Sequence, residues 1–218
     1  MAGIRARKWV APVRKAAVDA SVLRHMLAEV TGDTPRARRD RAVLAIGMAA
    51  ALRRSELVAL TLSDVTLVDA GLEIRITSSK TDRAGEGAVI AVPEGSRIRP
   101  KALLLAWMAA LASMEADSPP DPTAPLFRRL TRGDALTAAP MSDRAVARLV
   151  KRTAAAAGYD PTTFSAHSLR AGFLTEAASQ GATIFKMQEV SRHRTVQILS
   201  YYVRAADRFR DHAGDRFL

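Results

Sequence analysis

The sequence predicts an α+β fold, mainly α, with a small antiparallel sheet inserted near residues 64–92. Three observations lead there. Alanine is abundant while aromatics make up only 5%, which favours helices over an aromatic-rich sandwich. Alternating, β-branched residues are confined to one stretch, residues 64–93. From Ser142 onward the chain reads as helical almost to its end.

The elements follow in order. Residues 1–18 are basic, contain a proline and read as an arm or linker remnant. Asp19 or Ser21 caps a first helix over 21–30, which stops before Thr31-Gly32-Asp33. A second helix covers 34–54; its apolar residues crowd toward the C-terminal half, so that half should be buried. Residues 55–60 continue as a short helix. Strands are expected over 64–71, 72–79 and 88–93, with a loop near 80–87. Residues 99–114 form a long helix, 118–125 a proline-rich loop, and 125–130 a short strand or extended segment. Four helices then cover 142–157, 167–180, 184–193 and 195–209. Gly158 and Gly181 sit where helix C-caps belong.

Composition narrows the function. The 218 residues suit one large domain. Zero cysteines exclude disulfides and thiolate metal sites. No apolar run approaches a membrane span and the N-terminus carries no apolar signal region, so a soluble, cytoplasmic protein is expected. Lys+Arg 33 against Asp+Glu 22 gives +11, an excess that suits a polyanion such as nucleic acid. There is no phosphate-binding glycine loop. Covalent chemistry therefore falls to a hydroxyl.

A scattered set of polar residues offers such chemistry. His167 and Arg170 lie three apart, on one face of a helix. Arg170 presents a planar fork that matches phosphate oxygens. Arg53 follows an apolar run, where its charge should emerge at a helix end, and Glu56 is placed to orient a cation. His193 stands between Arg192 and Arg194, an odd place for a core histidine. Tyr202 follows nine residues later. Tyr201 and Tyr202 are read as lying on opposite sides of their helix, so that only one faces a given pocket; Tyr201 is assigned to packing. Each feature alone is weak, because an HxxR pair on a helix is more often a surface pair than a site.

Taken together, these segments resemble the tyrosine recombinases, the phage integrase family. AALRRSELVALTLSDV resembles the family's first-arginine box, HSLRAGF its HxxR box, and SRHRTVQILSYYVR its second-histidine box with the nucleophile. SSKTDRAGEGAVIAVP resembles the hairpin that carries its catalytic lysine. The four occur in the family's order and spacing, over roughly residues 19–206. The resemblance implies a tyrosine-recombinase-like catalytic domain over 19–206. Arg53 and Arg170 then fall on the two catalytic arginines, Lys80 on the hairpin lysine, and His167 and His193 on the histidines. Tyr202 falls on the nucleophile and Glu56 on an acidic support. Arg192 departs from the glycine common in the family, and Ser168 from the commoner aspartate.

The implied function is a site-specific recombinase acting on double-stranded DNA through a 3′-phosphotyrosyl link. No metal or nucleotide cofactor is implied, since arginines supply positive charge and the covalent link conserves the phosphodiester energy. A type IB topoisomerase-like nicking-closing enzyme and a catalytically silent DNA-binding regulator remain as alternatives. Arg144, Arg148 and Arg152 recur every four residues and line one helix face, fit for the major groove or for phosphate contacts alone. Arg83, beside Lys80, is expected at the DNA backbone or minor groove. The tail, 207–218, carries Phe209, Phe217 and Leu218 and is expected to dock on a neighbouring protomer or on its own domain. The resemblance also implies a tetrameric synapse on nucleoid DNA, and a separate N-terminal DNA-clamping domain absent from this chain.

Overall fold

The computed structural model describes residues 15–77, 87–116, 121–207 and 214. Eight α-helices and five strands occur among them. Lys80 and Arg83, and Phe209, Phe217 and Leu218 of the tail, lie outside the described residues.

The chain enters as an extended segment, 15–19, laid along a later helix. Ala16 N–H donates to Thr163 O at 2.8 Å and Val18 N–H to Ser168 O at 2.9 Å. Val18 is fully buried. The packed unit thus begins before residue 19. Asp19 caps α1 (Ala20–Ala28), accepting from the N–H groups of Ser21 and Val22. Thr34 caps α2 (Pro35–Ala49), with proline in the first turn. Burial along α2 is densest in its second half, Ala42 through Met48.

α2 ends sooner than its apolar pattern suggests. Ala51 takes a left-handed turn (φ 47), and the N–H groups of Ala51 and Leu52 bond back to Met48 O and Gly47 O. Arg53 therefore does not end α2. It stands as the N-cap of α3 (Arg54–Ala59).

The sheet lies where the alternation placed it. Strands β1 (Val65–Val68), β2 (Gly71–Ile76) and β3 (Ala88–Pro93) pair antiparallel in the order β1-β2-β3. Val65 faces Ile74, and Ile74 faces Ile90. Leu72, Ile74 and Ile76 point inward with Ile90 and Val92, so one face of the sheet joins the core. Glu94 caps α4 (Pro100–Met114) through Lys101 N–H at 2.7 Å.

A second hairpin, β4 (Arg128–Leu130) with β5 (Leu136–Pro140), follows the proline-rich loop. The sequence pointed only to its first strand. Four helices complete the chain: α5 (Asp143–Ala156), α6 (His167–Ser179), α7 (Ile184–Ser191) and α8 (Val196–Ala206). Gly158 and Gly181 do take the left-handed conformation after α5 and α6 (φ 83 and 78).

Two apolar clusters hold these elements. The larger runs from Val18 through α2, the sheet, α4 and α5 to Leu169. Its largest member, Trp107, is fully buried and satisfies its indole N–H on Leu126 O at 2.8 Å. The smaller consists of Leu174, Ala178, Met187 and Leu199, and joins α6, α7 and α8.

Close backbone approach positions α6. A Cβ built on Gly172 would meet Val18 O at 1.7 Å, so only glycine lets the entry segment lie across this helix. Gly47 of α2 similarly faces Leu169, whose Cδ1 lies 2.8 Å from a built Cβ.

Candidate active site

Arg170 organises the site. It projects from the first turn of α6 and is 1% exposed, one of the largest fully buried side chains. A buried guanidinium needs partners for its N–H groups. Here two come from turned helix ends. Nη1 donates to Ala51 O, just past α2, at 2.6 Å. Nη2 donates to Ser191 O, the last residue of α7. Carbonyls left over at helix C-termini carry partial negative charge, so both ends suit a cation. Burial, then the Arg53 and Arg192 charges, push the Arg170 pKa down to about 9, which leaves it charged at neutral pH.

His193 lies beside this fork, with Nδ1 and Nε2 at 3.3 and 3.4 Å from Arg170 Nη2. Its Nδ1 is 2.8 Å from Ser191 Oγ, and its carbonyl accepts from Gln188 Nε2 at 2.8 Å. Burial, then the Arg170 and Arg53 cations, push the His193 pKa down to about 4. The ring is therefore neutral at pH 7 and retains one N–H donor. His167 opens α6. Partial desolvation, then Arg170 and Arg53, hold its imidazole below the usual histidine range.

Arg53 is held by Glu56. The Glu56 carboxylate accepts the Arg53 backbone N–H at 2.8 Å and Nη1 at 2.5 Å, closing the N-terminal turn of α3. A second cation reaches the same carboxylate: Arg192 Nη2 donates to Oε2 at 2.7 Å. Burial pushes the Glu56 pKa up, but Arg192 and the Arg53 contacts outweigh it and hold the group below the usual carboxylate range.

Tyr202 reaches the site from α8. It is half-buried against the smaller apolar cluster, and its hydroxyl lies close enough to act electrostatically on Arg170. A cleft of about 510 Å³ is lined by Lys15, Ser165, His167, Gln197, Tyr201 and Tyr202, among others. Both tyrosines border it, contrary to the expectation that only one could. Successive helical residues differ by about 100° rather than 180°, and the two rings meet edge to face at 5.9 Å. Tyr201 is the more exposed, at 44%.

The structure thus brings together Arg53, Glu56, His167, Arg170, His193 and Tyr202 from the α2–α3 junction, α6, the α7–α8 junction and α8. Sequence reading passed over Ser191, the Ala51 carbonyl and Lys15. The Ala51 carbonyl and the Ser191 carbonyl act through backbone atoms, for which no side-chain type gives a signal; Ser191 also meets His193 Nδ1 with its hydroxyl. Lys15 was one basic residue among several in the arm. The α5 arginines divide. Arg144 and Arg148 are exposed. Arg152 donates to Asp40 of α2 at 2.6 Å, although its side chain is still 61% exposed. Arg148 also lines a basic cleft with Arg36, Arg39 and Arg129.

Residues 17–208 match the sequence profile of the phage integrase family. The chain belongs to that family. It is 34% identical over 178 residues to an integrase/recombinase XerD homologue of Selenomonas ruminantium, covering 82% of this chain and 50% of that protein. It is 32% identical over 190 residues to the tyrosine recombinase XerD of Xanthomonas axonopodis pv. citri, covering 87% of this chain and 58% of that one. The chain therefore spans about half the length of these curated relatives. Among solved structures, the XerH recombinase in a post-cleavage complex with its palindromic difH substrate superposes with a TM-score of 0.71. Identity there is 16%, over 93% of this chain and 53% of that one. The XerA recombinase gives a TM-score of 0.66 at 18% identity, over 92% and 62%. These likenesses establish a tyrosine-recombinase catalytic-domain fold.

Proposed function

We propose that this chain is the catalytic domain of a site-specific DNA recombinase, with Tyr202 as nucleophile. The observation that carries the reading is the convergence of Arg53, Arg170 and His193 beside Tyr202, in a family whose relatives are named as recombinases. Tyr202 Oη attacks a backbone phosphorus. An O–P bond to tyrosine forms, the P–O5′ bond breaks, and a 3′-phosphotyrosyl link and a 5′-hydroxyl result.

The phenol, with an ordinary pKa of about 10, needs a proton acceptor. His167, held neutral, supplies one. Arg53, Arg170 and the His193 donor hold the non-bridging oxygens as charge builds; such donors are each worth about two to three decades in rate. Lys80 gives the proton to the leaving O5′. A substrate with a 5′-phosphorothiolate leaving group, which needs no proton, should then partly rescue Lys80→Ala.

Grip on double-stranded DNA falls to Arg144 and Arg148, with Arg129 of the neighbouring cleft offering a further phosphate contact. Arg83 adds a backbone or minor-groove contact. Self-association on DNA up to a tetrameric synapse, tail docking and a separate DNA-clamping domain belong to the same proposal and rest on the family resemblance, as does placement on nucleoid DNA. The test is a suicide substrate carrying the cognate site. A covalent adduct that survives denaturant and EDTA is expected. Plasmid relaxation without strand exchange would favour the topoisomerase-like alternative, and no adduct would favour the silent regulator.

A further inference from the structure

Arg192 ends α7 in a conformation that suits glycine. Its φ of 54 and ψ of 39 place it in the left-handed region. A side chain bearing Cβ adopts that region at a cost, and helix ends of this kind commonly carry glycine. A second cost accompanies the first: Arg192 Nε is buried with no hydrogen-bond partner among the described residues.

What the side chain does there is specific. The guanidinium is 12% exposed. Nη1 returns to Val190 O at 2.7 Å, which fixes the stem. Nη2 reaches 136 positions back along the chain to Glu56 Oε2 at 2.7 Å. Glu56 is 2% exposed and grips Arg53 with both oxygens. The carboxylate is thus clamped between two arginines, one from each side of the site. The Arg192 charge and the Arg53 contacts together keep Glu56 ionised despite burial.

We propose that Arg192 is a positioning residue: through Glu56 it fixes the Arg53 guanidinium at the start of α3, a task for which the strained end of α7 is retained. The inference rests on the reading of Arg53 as a phosphate ligand. It separates from a purely structural role because glycine at position 192 would relieve the backbone while removing the clamp and the Val190 contact, and lysine would restore a charge near Glu56.

Arg192→Gly should keep or raise the melting temperature. Single-turnover adduct formation at saturating DNA should nonetheless fall about 10- to 100-fold, the usual scale for groups that orient a binding residue. Arg192→Lys, which keeps a charge within reach of Glu56, should recover part of the rate. An activity-independent readout is the carboxyl carbon-13 titration of Glu56, which should move upward in Arg192→Gly and partly return in Arg192→Lys. An Arg192→Gly protein that cleaves like wild type, or whose Glu56 titration stays put, overturns the inference. So does loss of fold and cleavage together without partial recovery by lysine, which would make Arg192 a brace. If wild type forms no Tyr202-dependent adduct, the cleavage reading itself fails, and the Glu56 titration still decides whether Arg192 holds the clamp.

Discussion

The guanidinium of Arg170 donates to the carbonyl of Ala51 at 2.6 Å, across 119 positions of chain. The same fork reaches Ser191 O at the end of α7. A single side chain thereby ties the segment carrying Arg53 to the segment carrying His193. Arg170→Lys keeps the charge but has no planar fork to satisfy both carbonyls. It should lose at least about two decades of single-turnover cleavage. It should also lower stability, because a buried acceptor left unpaired costs about 1–3 kcal/mol. Cleavage kinetics and chemical denaturation check the two effects separately. Unchanged stability in Arg170→Lys would show that one ammonium suffices for both helix ends.

Tyr202→Phe should abolish the covalent adduct and leave DNA affinity nearly intact, since it removes one hydroxyl and no positive charge. Tyr201→Phe should still cleave. The two tyrosines border one cleft; the assignment to Tyr202 rests on the family resemblance and on its half-buried place against the smaller apolar cluster. Denaturing gels of trapped adducts read it. An inactive Tyr201→Phe beside an active Tyr202→Phe would reverse the assignment.

Acid should weaken the fold before carboxylates titrate. His193 has a folded pKa of about 4 against an ordinary 6.5, and His167 is lowered as well. Between those values the unfolded chain binds more protons than the native one, so stability falls as pH drops from about 6.5 toward 4. The Glu56 contribution, its pKa being lowered from 4.5, is lost only below that ordinary value. Melting temperatures between pH 6.5 and 4.5 should therefore slope downward with acid, and His193→Asn should flatten the slope. The acid limb of cleavage should lie below the ordinary histidine range and disappear in His167→Gln.

Gly172→Ala should destabilise the domain by about 1–3 kcal/mol or more, the scale of overpacking. The obstacle is backbone, Val18 O at 1.7 Å, which no rotamer change relieves. Denaturation midpoints test it. A neutral substitution would mean that the entry segment detaches from α6 freely.

Arg144→Ala and Arg152→Ala should differ in kind. Loss of a phosphate contact by Arg144 should flatten the salt dependence of DNA binding by about 0.9 in log–log slope. Arg152 is paired with Asp40 of α2, so its removal should register more in thermal stability than in that slope. Equal slope changes for both would restore Arg152 to the DNA face.

Much of this architecture was legible in the residues. Periodicity placed the helices and the three-stranded sheet, because a helix stripe and a strand alternation answer directly to burial. HSLR and the Tyr202 segment, read through the family resemblance, pointed to side chains that the structure brings close together. The misses have separate causes. Ala51, two residues past the end of α2, has nothing in its side chain to announce a left-handed turn, so the sequence pattern runs as a helix to residue 54. The β5 strand, LTAAP, is short and exposed, and carries no strong alternation. Assigning Tyr201 to packing treated helical neighbours as diametric. The contact of Ser191 with Arg170 rests on a carbonyl that any residue would offer.

The division of the interior into two unequal clusters has a kinetic consequence. The arginine at the start of α3 stands on the large core, whereas among the described residues α7 and α8 lean chiefly on a small cluster of Leu174, Ala178, Met187 and Leu199. Regions with little buried apolar surface open at lower free energy than the global transition. Amide hydrogens of α8 should exchange well before those of α2. On the proposed mechanism, breathing of α8 would move the tyrosine while Arg53, seated on the larger core, keeps its place.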